Sequence, residues 1–443
     1  MTTPVTPAQE AHAPPTSPDS GTAGVAASSW PPATPHKFAL AMLILFRLAR
    51  GIAAAMIAVD LPYLVLKKLH FGSLTLGAIY MVGVASTAVL GLAIGQLADR
   101  WSRKGTLLLS AAMLPISAFM LYLFTSVPMI FAAAVIGGFA ATGSLIGGGV
   151  GGAAQPVQSA VIADLAAPHR RTLYFSLLAF LGGVAGSLGA MLVGFASIHR
   201  TFLFAGGISM VGALPLLWLE IPRHPSPPRP PHGSRKVMTQ FTITGALNGF
   251  SQGLITPFLI PFFMIVFDMG KRQMAWYTAA ANILGAVALL TAPLLERRFG
   301  FARSIVFTRA LGTILLLLMA VWHFLPVALF IYIITPALRI AALPAQQTAI
   351  TSRVHIDDIG RALAANQVAR LSAASAAIIC TGWLFDIAAV ETPFFIYTAV
   401  MGANIYLYMR FFGRHETHAG LPAAAEPNPA HAAAHATGFI KPK

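Results

Sequence analysis

Apolar residues in this chain occur in long runs separated by short polar segments. The runs are about 20 residues long, which matches the hydrocarbon core of a bilayer, and the alternating ten-residue pattern of a membrane β-barrel is absent. Because only helices and closed barrels satisfy their backbone hydrogen bonds in lipid, the runs predict spanning helices. The spans, about twelve by this pattern, are predicted at 38–66, 73–95, 105–125, 128–164, 172–195, 201–221, 238–267, 274–295, 303–323, 326–350, 361–385 and 393–412.

The two halves of the chain echo each other in sequence. The fourth run is too long for one straight crossing, so we expect it to extend beyond the membrane or to break. Matched motifs in the two halves are separated by 199, 198 and then 188 residues along the chain. The similar spacing predicts a parallel repeat, and the fall in spacing predicts about ten extra residues in the first half. We place these extra residues in the glycine-rich segment 143–152. The matched positions are Pro62 and Pro261, Gly95 and Pro293, and Pro156 and Pro344.

Charge is scarce and unevenly placed. Hydrophobic residues make up 56% of the chain and charged residues 10%, too few charges to cover a soluble protein of this length. The net charge of +15 would suit nucleic acid, but the basic residues divide 18 to 5 between alternate sets of loops, as the positive-inside rule requires of cytoplasmic loops. We therefore expect a multi-pass membrane protein with both termini cytoplasmic and no nucleic-acid partner.

Polar, proline-rich segments set the predicted domain boundaries. Residues 1–37 and 413–443 are predicted to be disordered cytoplasmic tails, and the basic segment 222–237 is predicted to be a cytoplasmic linker. Between them lie two predicted six-helix bundles, 38–221 and 238–412. Cys380 is the only cysteine, so no intramolecular disulfide is possible.

One loop motif carries a family resemblance. Between spans 2 and 3 the chain has Gly95-Gln-Leu-Ala-Asp99-Arg100-Trp-Ser-Arg103-Lys104, which resembles the signature loop of the major facilitator superfamily, G-x-L-x-D-R-x-G-R-K. Ser102 stands where a second glycine is usual, and residues 293–300 form a weaker echo in the second half. The resemblance covers about 38–412 and implies two six-helix bundles, in which Asp99 latches the cytoplasmic side near the start of span 11.

Physical chemistry gives parts of this motif a role of their own. Gly95 permits close approach of helices, and the helix dipole at the end of span 2 favours the cations Arg100, Arg103 and Lys104. A purely topogenic role for these basic residues stays open. We interpret Asp99 as a gating residue rather than a solute ligand.

Ionisable side chains inside a membrane are costly, so each is a functional candidate. Arg50 and Arg339 are predicted to line a solute cavity, although hydrogen bonding to neighbouring helices would also account for them. Arg47 and Arg309 are expected to snorkel toward the interface. Asp60 is the candidate for proton coupling because partial burial would raise its pKa, while a solvated position at the loop edge is the alternative.

Polar side chains on apolar spans mark further cavity candidates. Span 7 carries Asn248 and Gln252 four residues apart, with Thr256 on the same face. Hydrogen bonding between helices is the alternative for all of the polar candidates. The glycines at 182–189 resemble the glycine-proline motif of proton-coupled antiporters, but this chain has Ser187 where that motif has proline. Ordinary glycine packing explains these glycines equally well. The remaining candidates are Gln158, Gln346, Tyr80 and Asn282.

No soluble-enzyme motif is present: the sequence has no phosphate loop, no Cys/His metal spacing and no nucleophile elbow. We expect no enzyme activity, cofactor or metal. The resemblance implies a monomeric secondary transporter of a small organic solute in a bacterial inner membrane, proton-coupled and with efflux favoured. Uptake or exchange of an organic anion is the alternative, motivated by the arginines, and a non-transporting solute sensor is an alternative of another class.

Overall fold

The computed structural model describes residues 34–100, 102–139, 171–219, 235–299, 301–353 and 359–412, with only the backbone described at some helix ends. Helices and short connecting turns account for these residues. The helices are α1 (Thr34–Pro62), α2 (Ser73–Arg100), α3 (Arg103–Leu123), α4 (Val127–Gly137), α5 (Arg171–Val193), α6 (Ile198–Ala213), α7 (Arg235–Ile255), α8 (Leu259–Val266), α9 (Lys271–Phe299), α10 (Phe301–Val321), α11 (Leu325–Arg353), α12 (Ile359–Asp386) and α13 (Thr392–Phe412).

The predicted fold class is confirmed: the protein is an all-α membrane protein of two helix bundles. Eight of the described helices are long and apolar enough to cross a bilayer, and shorter apolar segments lie at 127–137, 177–193 and 325–341. Helix α13 has 21 residues but carries Asn404 and Arg410, which lower its hydropathy. The predicted linker at 222–237 and the tails fall largely outside the described residues.

Helix packing repeats between the first half, α1–α6, and the second half, α7–α13. In the first half α1 packs on α5 and α6, α3 packs on α4 and α6, and α2 packs on α4. In the second half α7 packs on α12 and α13, α10 packs on α11 and α13, and α9 packs on α11. In the described part of the chain the halves meet mainly through two helix pairs, α2 with α12 and α5 with α9, and α1 adds smaller contacts with α8 and α9.

Two hydrogen bonds across this seam follow the repeat spacing. The hydroxyl of Ser187 on α5 donates to the carbonyl of Ala279 on α9 at 2.9 Å, and Ser375 on α12 donates to Met81 on α2 at 3.0 Å. Ser375 follows Ser187 by 188 residues, and Ala279 follows Met81 by 198. These are the spacings that the sequence motifs predict for the late and early spans of each half.

Glycines allow the closest helix contacts within each half. Gly245, Gly249 and Gly253 form a stripe at every fourth residue of α7, and a side chain on Gly249 would overlap the carbonyl of Arg370 on α12. In the first half a side chain on Gly189 would likewise overlap the α1 backbone. Because small residues let helix backbones approach closely in lipid, the pairs α1–α5 and α7–α12 are the tightly packed cores of the two halves.

Local backbone signals explain where several spans are interrupted. Helix α4 ends at Gly137, and Gly138 has a left-handed φ of 59°, a conformation that glycine adopts without strain. The predicted break in the fourth span is therefore confirmed at Gly138, while the glycine-rich segment 143–152 lies outside the described residues. The seventh span also changes geometry: α7 gives way to a 3₁₀ turn at Thr256–Phe258 before α8 begins, and Pro257 in that turn has no N–H to continue an α-helix.

Candidate functional site

Two arginines on α1 are buried inside the first half. Arg47 and Arg50 are 7% and 6% exposed. The guanidinium of Arg47 lies beside Gly182 on α5, with its Nε 3.3 Å from the place a Cβ would occupy. The prediction that Arg47 snorkels is wrong, because the missing side chain of Gly182 makes room for it inside the bundle.

Arg50 is the second buried cation on α1. Its Nη1 is buried and has no hydrogen-bond partner among the described residues, and the charge that it feels most is that of Arg47. An uncompensated buried charge is strongly unfavourable. The role of Arg50 as a cavity residue stays a prediction.

A second cationic cluster lies inside the second half. Arg339 on α11 donates from Nη1 to the hydroxyl of Thr256 at 2.5 Å, while its buried Nε has no partner in the described part of the chain. Arg370 on α12 donates to Gln367 at 2.9 Å and lies close enough to Arg339 for their charges to repel. The ring of Tyr397 on α13 is also within electrostatic reach of Arg339.

Arg309 has a structural role instead of the predicted snorkelling position. Its Nη1 donates to the side-chain oxygen of Asn404 at 2.5 Å, and its guanidinium lies 5.1 Å from the ring centroid of Tyr408. Asn404 in turn donates to the carbonyl of Thr244. This chain of contacts joins α10, α13 and α7, so the snorkelling prediction is wrong: partners on two other helices satisfy the guanidinium within the bundle.

Asp60 lies at the end of the bundles away from the start of α1, which we call the distal end. Its side chain is fully buried and accepts a hydrogen bond from Lys271 Nζ at 2.9 Å. Lys271 also donates to the carbonyl of Ala196 at 2.8 Å and approaches Thr201 at 3.5 Å. Asp60 is therefore paired across the halves rather than solvated at a loop edge. Sequence reasoning missed Lys271, which reads as an ordinary loop lysine.

Further contacts close the distal end, and together with the Asp60–Lys271 pair we call them the distal gate. Lys67 contacts Asp268 at 2.7 Å, and its hydrogen bond and positive charge hold the pKa of the Asp268 carboxyl below its usual range. The hydroxyl of Tyr63 donates to the carbonyl of Met269 at 3.1 Å. The guanidinium of Arg272 also lies over the ring of Phe195, 5.8 Å from its centroid.

The other predicted cavity residues are spread over several helices. Asn248 and Asn282 are 4% and 8% exposed, and Gln252 is partly buried. Tyr80 is buried, and its hydroxyl has no partner among the residues that the structure describes. Gln158 and the side chain of Gln346 lie outside the described structure. No described contact brings these polar residues to one solute position, so their cavity role stays a prediction.

The predicted gating motif is described only in part. Lys104 Nζ donates to the carbonyl of Leu217 at 2.7 Å, which joins the start of α3 to the turn after α6. Ser102 caps α3 by accepting a hydrogen bond from the N–H of Gly105 at 2.9 Å, which gives a reason for serine in place of the usual glycine. The surroundings of Gly95 and the side chains of Asp99, Arg100 and Arg103 lie outside the described structure, so the latch role of Asp99 stays a prediction.

A comparison with known families decides the class of the protein. The sequence model of the Major Facilitator Superfamily matches residues 40–378, well over half of the chain. The chain belongs to the major facilitator superfamily. It is therefore a multi-pass membrane transporter and not an enzyme, as the motif at 95–104 implies. No curated protein sequence matches the chain closely enough to count as a relative.

Solved structures of other members of the superfamily share the fold. A variant of the nucleoside transporter NupG is 14% identical with a TM-score of 0.70, covering 84% of this chain and 100% of that chain. The human organic anion transporter MFSD10 is 15% identical with a TM-score of 0.64, covering 84% and 99%. A bacterial homologue of the human lysosomal transporter Spinster, inward-facing and occupied, is 16% identical with a TM-score of 0.71, covering 87% and 99%.

Proposed function

We propose that this protein is a secondary transporter that moves a small organic anion by alternating access. The observation that carries the proposal is the buried Nη1 of Arg50 on α1, which has no hydrogen-bond partner among the described residues and lies within electrostatic reach of Arg47. Cations within a membrane bundle need an anionic or polar partner. A solute carboxylate or similar group would supply that partner at the position where the chain itself, as far as it is described, does not.

The second half supports the same proposal. Arg339 and Arg370 lie close enough for their positive charges to repel. The described carboxylates lie elsewhere, near the distal end, at Asp60, Asp268, Asp386 and Glu391. The fold neighbour MFSD10, an organic anion transporter, is consistent with anions as cargo on this architecture. We expect the transporter to act as a monomer, because a single chain supplies both helix bundles.

The distal gate favours a transporter over a solute sensor. It joins the halves through an ion pair whose acid is fully buried, a contact that must break if this end is to open. If the termini are cytoplasmic, as the loop charges predict, the distal end is the outer one. The structure would then be closed on the outer side, as one stage of the rocking cycle requires.

Proton-coupled efflux is the second candidate, and the burial of Asp60 favours it. A proton delivered to Asp60 would cancel its attraction for Lys271 and loosen the gate, so that proton entry and opening of the distal end would be coupled. This gives Asp60 the coupling role proposed on sequence grounds. The direction of solute movement then follows from the solute and proton gradients.

Counterflow in proteoliposomes tests the proposal. Vesicles loaded with an unlabelled organic anion should accumulate the labelled anion from outside, and Arg50→Gln should abolish this accumulation. Arg200→Gln, which removes an equal charge from an exposed site, should leave it unchanged. An imposed pH gradient that drives anion movement in wild type but not in Asp60→Asn would support coupling. Counterflow of neutral or cationic solutes with none of any anion would refute anion transport.

A further inference from the structure

The arginines in the bundles form two separate cationic sites, one in each half. Arg50 lies within electrostatic reach of Arg47 on the same helix, while Arg370 lies within electrostatic reach of Arg339 on the neighbouring helix α11. Each site also contains a buried donor nitrogen with no partner among the described residues, Nη1 of Arg50 and Nε of Arg339. Each half therefore offers its own place for an anionic group.

The internal repeat places the two sites at the same depth. Adding the early spacing of 199 residues to Arg50 leads to Gly249, which packs against the backbone carbonyl of Arg370. Subtracting the late spacing of 188 from Arg370 leads to Gly182, whose carbonyl lies beside Gly51. Arg50 and Arg370 thus lie at the same level of two equivalent helix pairs, α1–α5 and α7–α12. In the first pair the arginine is on α1 and the glycine on α5, whereas in the second pair the glycine is on α7 and the arginine on α12.

Distances along the helices give the same result. At about 1.5 Å per residue, Arg370 lies about 24 Å from the distal end of α12 and Arg339 about 21 Å from the distal start of α11. Arg50 lies about 27 Å from the distal end of the first span, at Lys68. The three guanidinium-bearing positions therefore share a layer about 6 Å deep.

Resting on the proposed function, we propose that the solute is an organic dianion with two separated anionic groups. One group binds Arg50 in the first half, and the other binds Arg339 and Arg370 in the second half. A monoanion would supply an acceptor to one of the two unpartnered nitrogens, Nη1 of Arg50 or Nε of Arg339, and leave the other buried without one, which is unfavourable in a membrane. A dianion supplies an acceptor to both nitrogens and so links the two halves.

Binding of matched solutes to the purified, full-length protein tests this inference. Succinate carries two carboxylates, while succinamate has nearly the same shape and one charge. Malonate and glutarate vary the separation of the two groups, and glycerol 3-phosphate carries both charges on one group. We expect the best dicarboxylate to bind at least about tenfold more tightly than its monoanionic analogue, since each charged hydrogen-bonding site contributes strongly.

The arginine variants locate the two charges. Arg50→Gln should reduce the preference for the dicarboxylate over its half-amide to about onefold, without weakening binding of the half-amide itself. Arg50→Lys should keep part of the preference, and Arg200→Gln should keep all of it. Size-exclusion profiles and melting temperatures establish that each variant is folded, and a misfolded Arg50→Gln is replaced by the comparison of Arg50→Lys with wild type.

The outcomes separate the dianion inference from the proposed function. Equal binding of dicarboxylates and half-amides, or a preference that survives in Arg50→Gln, would overturn the dianion inference and leave anion transport standing. Glycerol 3-phosphate binding as tightly as the dicarboxylates and unaffected by Arg50→Gln would also overturn it, because both charges would then lie at one site. Binding of no anion in this set, together with an absence of anion counterflow, would overturn the proposed function.

Discussion

Removing one partner of the buried Asp60–Lys271 pair is expected to destabilise the protein more than removing both. In Lys271→Met, Asp60 loses the cation 2.9 Å from its Oδ2 and keeps a fully buried carboxylate. Breaking a buried ion pair in this way costs about 3–5 kcal/mol. Asp60→Asn should cost less, because Lys271 keeps its bond to the carbonyl of Ala196 and is 16% exposed.

The double variant gives the magnitude of the coupling. With Asp60→Asn and Lys271→Met combined, no unpaired charge remains, and the expected loss is about 1–2 kcal/mol for the missing hydrogen bonds. Lys271→Met alone should therefore cost about 2–3 kcal/mol more than the double variant. The free energies of unfolding are measured by detergent-induced unfolding in mixed micelles, with all four proteins at the same pH and salt concentration.

An exposed ion pair in the same gate provides the control. Lys67 and Asp268 are 46% and 90% exposed at their side chains, so Lys67→Met should cost much less than Lys271→Met, because water screens an exposed pair. The reasoning fails if the Asp60 and Lys271 losses add within about 0.5 kcal/mol. It also fails if Lys67→Met proves as costly as Lys271→Met, since burial would then not decide the strength of the pair.

Two further predictions concern helix packing and pH. Gly249→Ala should destabilise the protein by about 1–3 kcal/mol because the new Cβ would overlap a backbone carbonyl. Gly312 has open space around it, so Gly312→Ala should be neutral or stabilising by up to about 1 kcal/mol. Equal free energies of unfolding for the two variants would contradict the packing argument. Because Lys67 lowers the pKa of Asp268, their pair should stabilise the distal gate above the ordinary carboxyl pKa of about 4 and lose this effect as the pH falls through the lowered pKa. Thermal melts of wild type and Asp268→Asn should therefore differ at neutral pH and converge in acid, and a constant difference would refute the assignment.

The fold was predictable from the sequence because lipid imposes simple rules. Long apolar runs must become helices, and the distribution of basic loop residues predicts their direction. The motif at 95–104 supplied the family, and the spacing of the prolines supplied the repeat. The hydrogen bonds from Ser187 and Ser375 obey the same spacings, 188 and 198 residues, so the relation between the halves was also present in the sequence.

The candidate site was less predictable because hydropathy indicates which residues lie within the membrane but not which neighbours their side chains contact. Arg47 and Arg309 were expected to reach the interface, yet a glycine on α5 and an asparagine on α13 keep them inside the bundles. The partner of Asp60 is 211 residues away, and no local pattern marks Lys271 as that partner. Only the three-dimensional packing of the two halves brings these side chains together.

The contacts between the two halves follow the rule that governs a symmetric dimer. In an isologous dimer, residue i of one protomer contacts residue j of the other, and j contacts i in return. Ser187 with Ala279 and Ser375 with Met81 satisfy that reciprocal rule within a single polypeptide. The seam therefore has the contact geometry of a twofold homodimer within one polypeptide, and the two halves carry their arginines on different helices of the equivalent pair.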